Sequence, residues 1–140
     1  MKKLYLFLFV AIAAVSCSQK IEKADLIKLN GYWEIEEVVM PDGEKKEYKV
    51  NSTIDFFMLS GEKGFRQKVM PLLEGGYRTN GLREKMTITE EENKTYIAYK
   101  TEHAEWKEQI LELNEEKLVV KNEQDIEYHY KREKPFSNKK

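Results

Sequence analysis

Cysteine is almost absent: the 140-residue chain has one, Cys17. No disulfide can form within it, so packing alone must hold the fold. Histidine is nearly as scarce, with only His103 and His129. Two imidazoles and one thiol do not make a structural zinc pattern. Glu102-His103-Ala104-Glu105 reads as a solvated loop, and no metal or other cofactor is expected. No serine sits in a Gly-x-Ser-x-Gly elbow. With 25 acidic residues, accidental carboxylate pairs are too common to argue for glycoside hydrolysis. The chain reads as a non-enzyme. Positive charge is not in excess either. Without Lys2 and Lys3 the 24 basic residues fall to 22 against 25 acidic ones, a formal charge of −3, which argues against a nucleic-acid partner.

Long apolar runs are missing apart from Leu4–Val15, whose 12 residues fall short of the ~20 that a membrane-spanning helix needs. Lys2 and Lys3 precede that run and small residues follow it, the layout of an export signal over residues 1–16. Ala14-Val15-Ser16-Cys17 resembles the lipobox of bacterial lipoproteins, with Ala14 where Leu is more usual. The resemblance implies that Cys17 is lipidated after cleavage and that the chain meets a membrane through that anchor. Ser18, not Asp, follows the cysteine, which by the sorting rule of Gram-negative bacteria implies the outer membrane, facing either the periplasm or the cell surface. Residues 17–28 are expected to act as a tether that ends in a short helix.

From Gly31 onward apolar residues recur with period two, the signature of strands rather than helices. Expected strands cover 32–40, 52–59, 65–70, 83–90, 96–101, 105–113, 118–121 and 126–132, with a short one at 77–79. Pro41-Asp42-Gly43, Gly75-Gly76 and Asn80-Gly81 read as turns, and Pro71 should end its strand. In the first strand Trp33, Ile35 and Val39 share a face with Glu37. In the second, Ile54, Phe56 and Met58 face the core together. His129 falls on the polar face of the last strand. Residues 133–140 form a polar tail.

Eight or nine short strands with tight turns suggest an all-β, antiparallel, up-and-down barrel over residues 29–132. Gly31-x-Trp33 on the first strand, with Arg132 at the end of the last, resembles the lipocalin signature. The chain is thereby similar to small lipocalin-like lipoproteins. The resemblance implies that Trp33 closes the barrel floor, that Arg132 packs over it, and that the interior binds a ligand. The Thr-Asp-Tyr signature of that family is absent, and Asn114-Glu115-Glu116 stands in its place.

Phe56, Met58, Tyr77, Met86, Ile88, Tyr99 and Trp106 are the candidate ligand-lining residues, with Ile97 and Ile110 beside them. The ligand expected is small and apolar or amphipathic. The alternative is a protein-interaction or inhibitor module that uses the barrel surface or loops. The irregular stretch 71–82, with Leu72, Leu73 and Tyr77, reads as a lid over the open end or as a wide hairpin completing the core. Lys63, Arg66, Lys68, Arg78, Arg83 and Lys85 form a basic cluster. It reads as a solvated strand face balanced by the acidic stretch 90–116, with an anion-binding mouth as the competing reading.

Overall fold

The computed structural model describes residues 18–133. Cys17, the export segment and the tail from 134 on lie outside the described residues. Nine antiparallel strands follow a 3-10 helix, Lys23–Leu29: β1 (Gly31–Val39), β2 (Lys45–Glu47), β3 (Ile54–Ser60), β4 (Lys63–Pro71), β5 (Tyr77–Glu91), β6 (Lys94–Lys100), β7 (Glu105–Leu113), β8 (Lys117–Lys121) and β9 (Glu127–Arg132). Each strand from β3 to β9 pairs with the next. β1 pairs with β3 on one edge and with β9 on the other, from Trp33 opposite Arg132 to Val39 opposite Glu127. An eight-stranded barrel therefore closes, and closure satisfies the backbone groups that an open sheet would expose. β2 is an extra flap on the outer half of β1, where β3 has already left. Its Lys45, Lys46 and Glu47 are exposed, which blunts the one short edge.

Three features depart from simple alternation. β1 carries a bulge between Ile35 and Glu37. The extra residue reverses the phase, so Val38, opposite Tyr128, joins Trp33 and Ile35 inside, while Glu37 and Val39 turn outward. In β3 the inward phase is Asp55, Phe57 and Leu59, all buried, and Met58 is 42% exposed. The phase expected from Ile54, Phe56 and Met58 is therefore reversed, although Ile54 is itself buried, opposite Val69 and apart from the central core cluster. The partner register decides it, since Asp55 lies opposite the inward Trp33. Third, 77–79 and 83–90 are one strand of 15 residues. Asn80-Gly81 makes a bulge rather than a turn, with Gly81 at φ +78°. The side chains of Thr79 and Asn80 accept the N–H groups of Gly81 and Leu82 that the ladder leaves free, at 3.1 and 3.0 Å.

One end of the barrel is shut. Ile21, Leu26 and Leu29 pack on Trp33, Leu113 and Leu118, all buried. Asn30 ties the helix to β3: its Nδ2 donates to the Leu59 carbonyl at 3.1 Å and its Oδ1 accepts the Leu59 N–H at 2.6 Å. Gln19 makes the same pair of bonds to Leu113, at 3.1 and 3.0 Å, and its own N–H donates to the Leu111 carbonyl beside the β7 bulge. The segment from Gln19 is thus docked on the barrel, not a loose tether. At the opposite end stand the loops after β1, β4, β6 and β8.

Candidate functional site

Above the apolar floor the barrel interior changes character. Inward alternation brings Asp55 of β3, Arg66 of β4, Glu84 of β5, and Tyr99, Glu108 and Tyr130 of β6, β7 and β9 into one layer. Arg66 lies opposite Glu84 in the β4–β5 register. Its guanidinium donates to both oxygens of Glu84, at 2.8 and 3.0 Å, and reaches Glu108 Oε1 at 3.5 Å. It also lies 4.2 Å over the Tyr99 ring. Lys68 Nζ stands 2.8 Å from Asp55 Oδ1, an ion pair that lacks hydrogen-bond alignment.

Such a belt is costly to bury unless each charge is matched, and the titration directions reflect that tension. Burial pushes the Glu108 carboxyl up, against the opposing pull of Arg66 and Tyr99. The Tyr99 and Tyr130 hydroxyls are pushed well up, chiefly by burial. Burial alone would weaken the Arg66 proton, but Tyr99, Glu84 and Asp55 around it hold it above its ordinary value. The Tyr99 hydroxyl is near enough to weigh on Glu108 yet has no hydrogen-bond partner among the described residues.

Over this belt, at the open end, lies a cavity of about 460 Å3. Arg66, Glu108 and Tyr130 form its inner wall, Trp106 and Tyr128 flank it, and Glu123 sits on its rim in the β8–β9 loop. Trp106 is held by stacking on Tyr99, with centroids 5.3 Å apart and planes 19° apart. Among the described residues, no three His, Cys, Asp or Glu side chains converge as metal ligands.

At the shut end, Trp33 is fully buried and its Nε1–H donates to the Leu29 carbonyl at 2.8 Å. The Arg132 guanidinium lies 4.1 Å over the indole. It donates to the carbonyls of Glu115 at 2.6 Å, Asn30 at 2.8 Å and Lys28. Burial lowers its pKa from the ordinary value. Gly31, at φ +125°, leaves the space for it: a Cβ there would stand 2.7 Å from Arg132 Nη1. A closed eight-stranded meander, a helix across its floor, and an arginine that seals a first-strand tryptophan now stand together.

The fold is lipocalin-like. No family model and no curated protein sequence matches the chain. Among solved structures it is similar to a lipocalin-like protein from Bacteroides uniformis, with 12% identity and TM-score 0.48 over 76% of this chain and 99% of that one. An uncharacterized protein from Bacteroides eggerthii aligns at 13% identity and TM-score 0.47, over 75% and 99% of the two chains. Lobster apocrustacyanin A1 aligns at 10% identity and TM-score 0.49, over 87% and 74%.

The lipocalin-like barrel sorts the candidate residues. Gly31, Trp33 and Arg132 meet at its shut end. Of the seven lining candidates, only Trp106 borders the open-end cavity. Met86 and Ile88 are buried in the core below the belt, with Ile97 and Ile110. Tyr99 lies behind Trp106. Phe56, Met58 and Tyr77 are on the outer wall, where Tyr77 stacks on Tyr32 at 3.9 Å and Tyr32 meets Phe56 at 4.7 Å. They do not line the interior, because the β3 phase is reversed and the β4–β5 arm folds against the outside. That arm therefore does not bring Tyr77 across the mouth as a lid. The basic cluster divides: Arg66 and Lys68 turn inward to carboxylates, while Arg83 covers Phe65 on the outer wall at 4.1 Å. His129 is half-buried outside, near Ser18 and Val119. The residues missed from the site are Asp55, Glu84 and Glu123, which no apolar pattern marks, and Glu108, Tyr128 and Tyr130, for which the even spacing on strand faces already shared with Trp106 and Arg132 was the signal.

Proposed function

We propose that this chain is a lipid-anchored binding protein of the bacterial cell envelope, held at the outer membrane by Cys17, whose barrel mouth takes a small amphipathic molecule. The observation that carries the binding reading is the 460 Å3 cavity above the charged belt. Its size falls in the range of small-molecule sites, roughly 300–1,000 Å3. Aromatic side faces combined with a charged inner wall favour an amphipathic ligand over a wholly apolar one, since a bare hydrocarbon would strip water from the belt without replacing it. The anchor reading rests on the lipobox resemblance and on Cys17 being the sole thiol.

Two measurements test it. Titration with the neutral dye Nile red should give saturable fluorescence enhancement that Trp106→Ala weakens several-fold; no uptake refutes the internal site. Labelled palmitate should enter the wild-type chain and not Cys17→Ser; an unlabelled wild type refutes the anchor.

A second reading has its own observation. Val50, in the β2–β3 connection, and Leu73, in the open-end loop after β4, are 91% and 92% exposed, and Leu82, at the β5 bulge, is 73% exposed. Exposed apolar side chains of this kind suit contact with a protein partner. A chain that ignores the dye but is pulled down with an envelope protein, and loses it on Leu73→Ser, would favour that reading.

A further inference from the structure

We infer that the ligand of the barrel mouth is a cation, a small amine with a flat apolar body. The inference rests on the binding reading above and names the chemistry of its site. Three cationic side chains border the cavity: Arg66, Lys68 and Lys107. Each is already matched. Arg66 holds Glu84 through two bonds, Lys68 is 2.8 Å from Asp55, and Lys107 turns to the outer wall, where its Nζ is 2.8 Å from Glu91. Of the three carboxylates that border the cavity, Glu105 is paired with Lys100 at 3.3 Å.

The other two are not balanced. Glu108 has only the third, longer contact to Arg66, a cation shared with Glu84, and its side chain is 7% exposed. Glu123 accepts the Lys107 backbone N–H at 3.2 Å and has no cationic side chain within ion-pair distance among the described residues. The inner wall thus carries one carboxylate more than its cations neutralise, and the rim carries another. What the cavity wall is short of, at Glu108 and Glu123, is a donor with positive charge.

The aromatic faces complete the match. Trp106 and Tyr128 flank the cavity, and the negative faces of their rings attract an ammonium and pack on a flat body. An anion would meet no free cation here, and would have to displace Glu84 or Asp55 to reach one. An ammonium would complete ion pairs that are now one-sided, with charge-assisted hydrogen bonds to Glu108 inside and Glu123 outside.

The test titrates the intact chain by calorimetry with three probes of like body: 2-phenylethylamine, 2-phenylethanol and 3-phenylpropanoate. The amine should bind about tenfold or more tighter than the alcohol, and the acid weakest. Glu108→Gln should remove most of the amine's advantage. Glu123→Gln, in an exposed loop where folding is not at stake, should remove part of it. An alcohol that equals the amine, or an acid that exceeds it, overturns the charge assignment. So does an amine advantage that survives in both variants. If Nile red binds and none of the three probes does, the cation inference fails and the binding reading stands. If the dye fails as well, both fall.

Discussion

The seal between Trp33 and Arg132 makes a quantitative prediction. Trp33→Ala removes a fully buried indole, for which truncation costs roughly 3–5 kcal/mol. It also leaves the Leu29 carbonyl without its 2.8 Å donor, which pushes the loss toward the upper end. Arg132→Ala gives up three carbonyl bonds at about 1 kcal/mol each and a stack of about 0.5–2 kcal/mol. Against that it releases a guanidinium whose lowered pKa records a desolvation cost, so the net loss should be about 2–3 kcal/mol. Because the guanidinium sits 4.1 Å over the ring, the double mutant should lose less than the sum by about 1–2 kcal/mol. Urea unfolding followed by far-UV circular dichroism gives each value by linear extrapolation. Trp33→Phe with Arg132→Lys forms a milder cycle that remains measurable if Trp33→Ala does not fold. Additivity to within about 0.5 kcal/mol in both cycles would refute the seal.

Three further outcomes follow from the geometry. Gly31→Ala should cost about 1–3 kcal/mol, since φ +125° strains any side chain, and part of the loss should return in Gly31→Ala with Arg132→Ala; a neutral Gly31→Ala in urea unfolding would contradict it. Burial raises the folded-state pKa of Glu108, so the stability that its protonated form contributes is complete below the unfolded value and fades as pH climbs through the folded one. The stability of Glu108→Gln relative to wild type should therefore improve from pH 4 to pH 7; a flat or falling difference in urea midpoints would mean that Arg66 outweighs burial. Gln19→Ala should speed hydrogen exchange at the Leu113 amide, which loses its Gln19 acceptor, and lower stability by about 1–2 kcal/mol; unchanged exchange would mean that the segment is not docked.

Legibility in the sequence varied along the chain for physical reasons. From Lys94 onward, turn residues separate short apolar runs, so β6 to β9 could be read to within two residues, although the β7 bulge that puts both Ile110 and Leu113 in the core could not. The seal could be read too, because Gly31, Trp33 and Arg132 sit at strand positions that closure itself makes neighbours. β3 could not. Ile54, Phe56 and Met58 offer one apolar phase and Phe57 and Leu59 the other, and Asp55 on the second argued against it. Only the inward ion pair with Lys68 makes that charge tolerable, and its partner is on another strand. The belt was hidden for the same reason: Arg66 stands 18 residues from Glu84 and 42 from Glu108, and register alone unites them. Bulges at Glu36 and Asn80-Gly81 were equally silent, since a turn and a bulge use the same residues.

The charged belt also acts as a depth stop. A fatty chain entering the mouth gains about 0.8 kcal/mol for each methylene it buries, but only until it reaches Arg66 and Glu108. To go deeper it would have to part ion pairs already removed from water, at a cost of several kcal/mol, which a few methylenes do not return. Affinity across a homologous series of alkyl amines should therefore climb with length and then level off. On the proposed binding reading the core beneath, from Met86 to Trp33, would stay out of the ligand's reach, so the mouth would select by length while the floor serves stability alone.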